Sequence, residues 1–73
     1  DQEQVVFLTT LSLEDAVYFY KEMMPSYDWN EGIPSVALKK AAYLTYDKDG
    51  RRAIVVMTIS GEKVAVRVTV SEK

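Results

Sequence analysis

LSLEDAVYFYKEMMPSYDW, residues 11–29, decides the fold, because no other stretch of the chain carries helical periodicity. Ser12 offers a hydroxyl that can accept from a free first-turn N–H, and Asp15 stands three residues on, where a carboxylate can reach back to the cap. Leu11 and Ala16 hold the staple positions flanking that cap, weakly because alanine is small. Glu14 and Asp15 place negative charge at the positive end of the helix dipole. Leu13, Ala16, Val17, Tyr20, Met23, Met24 and Tyr27 fall on one face, and Glu14, Tyr18, Lys21 and Glu22 on the other, with Asp15 and Phe19 at its margins. Pro25 lacks the N–H that would bond the Lys21 carbonyl and biases Met24 away from α geometry, so the regular helix is expected to end near Met24. Residues 25–28 then form a final turn with Asp28 left-handed, and Trp29 folds back onto the core.

Outside this stretch the chain reads as strand and turn. After a polar lead, VVFLTT (residues 5–10) is β-branched and aromatic and leads as a strand into the Ser12 cap. Residues 30–38 hold Gly32 and Pro34 without a clear period and are expected to be a loop, with room for a helical turn after Pro34. A second strand over 39–46 puts Ala42, Leu44 and Tyr46 on one face and Ala41, Tyr43 and Thr45 on the other. The run DKDG (47–50) is a hairpin turn, since Asp49-Gly50 supplies the positive φ that tight hairpins need. A third strand over 52–60, a turn at 60–63 around Gly61 and a fourth strand over 64–70 complete the chain. In the last, Val64, Val66, Val68 and Val70 alternate with Ala65, Arg67 and Thr69, the pattern of a sheet with one buried face.

The expected fold is therefore α+β, a single two-layer domain over residues 1–73 in the order β-α-β-β-β. One amphipathic helix packs across a four-stranded, mainly antiparallel sheet, the simplest way to bury both apolar surfaces. The place of the first strand in that sheet is open, because the connection after Trp29 is long enough for a parallel or an antiparallel return. Cystatin-like folds share the layout, an analogy of fold that carries no function. The run TLSLEDAVYFYKEMMPSYDW (10–29), followed by a strand, DKDGR (47–51) and further strands, resembles small α+β domains of bacterial envelope proteins and lipoproteins. In those domains a strand is followed by an acidic-capped helix with a Phe-Tyr pair, a Gly-Trp exit and a β-meander. Phe19-Tyr20 and Asp28-Trp29 stand at the matching places, with Asp28 where those domains have glycine. The resemblance implies a cell-envelope or extracellular location and no assigned activity.

Composition narrows the chemistry. The chain has no cysteine, hence no disulfide and no thiolate, and no histidine, the commonest general base and metal ligand. A net charge of −2 gives no global attraction to nucleic acid or anionic membrane, and no apolar run approaches the roughly 20 residues that span a bilayer. Beginning at Asp1 rather than Met, the sequence reads as a processed or excised piece of a longer chain. A domain of 73 residues buries only about 60% of its unfolded surface, so small folds without cross-links rely on regular packing or on oligomerisation.

Three constellations have the residue types of a site. DKDG in the register of a calcium loop would put Val56 where a bidentate Glu is required, so turn chemistry accounts for it. Glu14, Asp15 and Glu22 belong to the cap and the polar helix face, which does not separate two carboxyl pKa values as hydrolysis needs. Lys39, Lys40, Lys48, Arg51 and Arg52 near Tyr43 and Tyr46 have the elements of a single-strand nucleic-acid platform, opposed by Asp47 and Asp49 in the same patch. No catalytic residue, metal ligand or cofactor-binding residue is expected, and the chain is read as non-enzymatic.

The third strand raises the question of partners. Ala53, Val55, Met57 and Ile59 lie on one face and Ile54, Val56 and Thr58 on the other, so apolar side chains occupy both. One helix already covers the first face. The second is covered either by residues 30–38 folding under, with Ile33, Val36 and Leu38, or by a second copy or partner protein. Ile54, Val56, Thr58 and Tyr43 are accordingly candidate contact residues, joined by Tyr18, an aromatic on the solvent face of the helix. The leading reading is a structural or protein-interaction domain acting by self-association or partner binding. A small-molecule or peptide-binding module using the open sheet face is the alternative, and nucleic-acid binding a distant third.

Overall fold

The computed structural model describes residues 2–32 and 36–72. Helix α1 spans Leu13–Ser26, and Ser12 caps it: its backbone is extended and its Oγ accepts from the Asp15 N–H at 3.1 Å. The helix runs past the expected stop at Met24 and holds Pro25 inside its last turn. Proline removes one N–H, but the closing bonds do not need it. The Asp28 N–H donates to the Pro25 carbonyl at 3.0 Å and the Trp29 N–H to that of Met24 at 3.1 Å. With Asp28 at φ 68 this is a Schellman closure, with aspartate in the place glycine usually takes. Lys48 Nζ, from a distant hairpin, donates to the Tyr27 carbonyl at 2.8 Å and brings positive charge to the negative end of a helix that has no basic residue in its last turn.

The strands are β1 (Gln2–Thr9), β2 (Asn30–Glu31), β3 (Val36–Ala37), β4 (Ala41–Lys48), β5 (Arg51–Ser60) and β6 (Lys63–Glu72). Their order is β1-β6-β5-β4-β2, with β3 also on β4, and each ladder among the described residues is antiparallel. This overturns the expectation of a four-stranded sheet in the order β-α-β-β-β. The sheet holds six strands and the chain is mostly β with one helix. The difference arises in residues 30–38, expected to be a loop. There β2 and β3 lie end to end along the outer edge of β4, pairing Asn30 with Asp47, Glu31 with Tyr46, Val36 with Tyr43 and Ala37 with Ala42. Strands of two residues are too short to show a period, and what forms them is the demand of β4's edge for hydrogen-bond partners. Backbone bonds from Gly32 to the Thr45 carbonyl and from Leu38 to the Ala41 carbonyl, both 2.7 Å, continue that pairing.

Both hairpins follow turn chemistry. Asp49 (φ 49) and Gly50 (φ 77) are both left-handed, as a type I′ turn requires, and Lys48 pairs with Arg51 across them. Gly61 at φ 64 opens the second turn, between paired Ser60 and Lys63.

The core lies between α1 and one face of the sheet. Ala16, Tyr20 and Met24 from the helix meet Leu44, Tyr46, Val55, Met57 and Val66, with alanines at 42 and 53 beside them. Leu13, Val17, Met23 and Trp29 close its margins half-buried. Tyr27 departs from the expected apolar stripe and is 63% exposed, because it is the C-cap and its non-helical backbone takes it off the helical wheel. The main contacts of α1 are with β2, β4 and β5, so the helix side of β1 is left largely uncovered.

Candidate interaction surface

Antiparallel register places the candidate residues in rows. Side chains directly opposite in a ladder share a face, so one row across the side away from α1 runs Val6, Arg67, Val56, Tyr43, Val36. The next is Leu8, Ala65, Thr58, Ala41, and on the other side Gln4, Thr69, Ile54, Thr45. Four of the five candidate contact residues therefore come together: Ile54 and Val56 half-buried, Thr58 and Tyr43 exposed. Thr45 on the same face is buried. Tyr18 does not join them. It is 66% exposed but stands on the helix, at the opposite side of the molecule, where it borders an open concavity of 470 Å³ with Leu11, Phe19 and Met23.

Residues 30–38 do not fold under this face in the part described. Val36 extends the sheet sideways beside Tyr43, and Leu38 is exposed and borders a hollow with Leu13 and Val17 on the helix side. Ile33 lies outside the described residues.

The sequence reading missed the contribution of β1. Val6 is 63% and Leu8 58% exposed on the open face, while Val5 and Phe7 are exposed on the helix face. Phe7 forms, with Leu11, Phe19 and Tyr20, the rim of a groove between the helix and the edge strand. The signal was present as VVFL, apolar at four successive positions, but its meaning depends on β1 being an edge strand, which long-range pairing decides.

The alternatives are arranged as follows. Among the described residues, no group of three or more His, Cys, Asp or Glu is placed to hold a metal ion. The basic residues do not gather. Lys39 and Lys40 precede β4, whereas Lys48, Arg51 and Arg52 flank the hairpin at its far end, about 27 Å away for eight residues at ~3.4 Å each. At that far end Lys48 and Arg51 lie over the Trp29 ring at 5.8 and 5.9 Å, and Arg52 pairs with Asp47 at 3.1 Å in the open, where such a pair adds little. The hollow on the open face, by Val6, Val56 and Arg67, measures 160 Å³, below the roughly 300 Å³ at which small-molecule sites begin. No helix among the described residues is long and apolar enough to cross a membrane.

The most perturbed group is Tyr46, fully buried on the helix face opposite Ala53 and Glu31. Burial, and secondarily the Glu31 carboxylate, push its phenol up to about 12, and its hydroxyl has no hydrogen-bond partner among the described residues. Its side chain has no exposed surface. Compared with protein-family models, curated proteins and solved structures, the chain matches none.

Proposed function

We propose that this chain is a non-enzymatic protein-contact domain whose working surface is the sheet face away from α1 together with the adjoining strand β1. The observation that carries the reading is the set of apolar side chains on that face, Val6 and Leu8 on β1 and, beyond Arg67 on β6, Val56, Ile54, Tyr43 and Val36, of which Val6, Leu8, Tyr43 and Val36 are exposed and Val56 and Ile54 half-buried. Exposed apolar side chains grouped on one face in this way are what contact surfaces present. The shallow hollow on that face favours a protein over a small molecule. The likeness to envelope domains supports a cell-envelope or extracellular setting for these contacts.

The test is the double variant Ile54→Thr, Val56→Thr. Both residues are half-buried on the open face, so the variant keeps the fold by circular dichroism while weakening assembly or capture of a partner in coexpression pull-down. A chain that captures nothing above the variant, and whose sedimentation does not change with concentration, would sink the reading.

A further inference from the structure

The two edges of the sheet are treated differently. The β4 edge is occupied by β2 and β3. Among the described residues the β1 edge is bare: eight residues pair with β6 in one unbroken register, from Gln2 opposite Ser71 to Thr9 opposite Val64, with no bulge. A bare edge offers alternate N–H and C=O groups to any extended chain, and proteins normally blunt it with Lys, Pro, a bulge or a cover. β1 has no Lys, Arg, Pro or Gly, and its one charge is Glu3 near its start. Val5, Val6, Phe7 and Leu8 make it apolar on both faces and exposed on both.

From this edge we infer that β1 pairs antiparallel with β1 of a second copy, about a two-fold axis normal to the sheet, and makes one continuous sheet with both helices on the same side. The inference rests on the reading of the chain as a contact domain and names the partner at one part of that surface. Three observations select a second copy in this arrangement. First, the opposite edge of the sheet is made of the two-residue strands β2 and β3, too short to take an eight-residue strand along their length, so head-to-tail addition of copies is disfavoured and edge pairing closes at a two-fold dimer. Second, the strand is its own complement. Centred on Val6, the pairing puts Val6 opposite Val6, Val5 opposite Phe7, Gln4 opposite Leu8 and Glu3 opposite Thr9, so apolar residues fill the middle of both faces. Third, charge sets the direction. A parallel pair would bring the two Glu3 carboxylates together, whereas the antiparallel one separates them towards opposite ends. Centring on Val5 would place Glu3 opposite Phe7, and centring on Phe7 shortens the overlap.

A single strand pair belongs to the small, weak interface class, below about 1,200 Å², so a reversible dimer of micromolar affinity is expected. The chain has no cysteine of its own, which makes cross-linking clean. Val6→Cys puts two thiols face to face across the axis, and mild oxidation should convert most of the protein to a disulfide dimer. Leu8→Cys, nearly as exposed, faces Gln4 and should stay monomeric. Separate Val5→Cys and Phe7→Cys proteins should cross-link with each other when mixed and not with themselves. Val6→Lys sets two ammonium groups opposite each other and should weaken the wild-type dimer about tenfold or more, most at low salt. Equal cross-linking at 6 and 8 would show random collision and overturn the inference, as would a strict monomer into the hundreds of micromolar, about two decades above a micromolar constant. If the monomer still captures a partner through Ile54 and Val56, the self-pairing falls and the contact-domain reading stands.

Discussion

Replacing Tyr46 with Phe removes one oxygen from the most buried point of the core and should change how stability responds to alkali. The ring lies between the Ala53 and Glu31 positions of the neighbouring strands, with no exposed surface. In the unfolded chain the phenol titrates at its ordinary value of 10.0, and in the fold at about 12. Between those values the unfolded state has released a proton that the folded state keeps. Stability supplied by the neutral buried phenol is therefore complete below pH 10 and lost as pH rises through 12. Two pH units correspond to roughly 2–3 kcal/mol, a large part of what a domain of this size has in hand. Urea unfolding of wild type and Tyr46→Phe from neutral pH to 12 measures it directly. Lysine deprotonation affects both proteins alike and cancels in the comparison. At neutral pH the variant should be as stable as wild type or more so, since an unpartnered buried hydroxyl costs about 1–3 kcal/mol to desolvate. Above pH 10 the wild type should fall away from the variant by that further margin. Parallel curves would mean that the hydroxyl reaches solvent or a partner in the fold, and the argument fails.

Val17→Asp places a charge at the half-buried margin of the core and should unfold the domain at room temperature, whereas Glu22→Ala on the exposed helix face should stay within about 0.5 kcal/mol. Equal melting temperatures for the two would show the helix face to be misplaced. Gly50→Ala meets no atom within 4 Å but must hold φ 77, so its cost is conformational, roughly 1–2 kcal/mol, read as a loss of several degrees in Tm. An unchanged Tm would refute the I′ geometry of that turn.

Features that local chemistry decides were legible in the sequence. Ser12 caps because its hydroxyl sits before the first helical turn, Asp49-Gly50 turns because both accept positive φ, and Asp28 closes the helix for the same reason. Period two in β4, β5 and β6 placed Ile54, Val56, Thr58 and Tyr43 on a shared face. What could not be read was long-range. The edge of β4 recruits Asn30, Glu31, Val36 and Ala37 through backbone groups that carry no sequence signal. The place of β1 beside β6 depends on a pairing across the whole chain. Tyr18 was read correctly as exposed, yet its separation from the sheet face follows only once the helix is laid on the other side.

Widths explain why so much apolar surface remains. Strands lie about 4.8 Å apart, so a sheet five strands across spans roughly 19 Å between its outer axes. A helix with its side chains is about 10–12 Å across and covers little more than half of that. Resting over β4 and β5, α1 buries Val64 and Val66, but its cover ends at β6, where Val68 and Val70 are half-buried and the β1 residues opposite them, Val5 and Glu3, are exposed. A polar residue at Val5 or Val6 would remove nothing from the core, because neither belongs to it. Apolar side chains at such positions are not required by the buried core, although valine suits a strand. The proposed contact surface would account for them, by completing from outside the chain the long edge strand that the described residues leave unpaired.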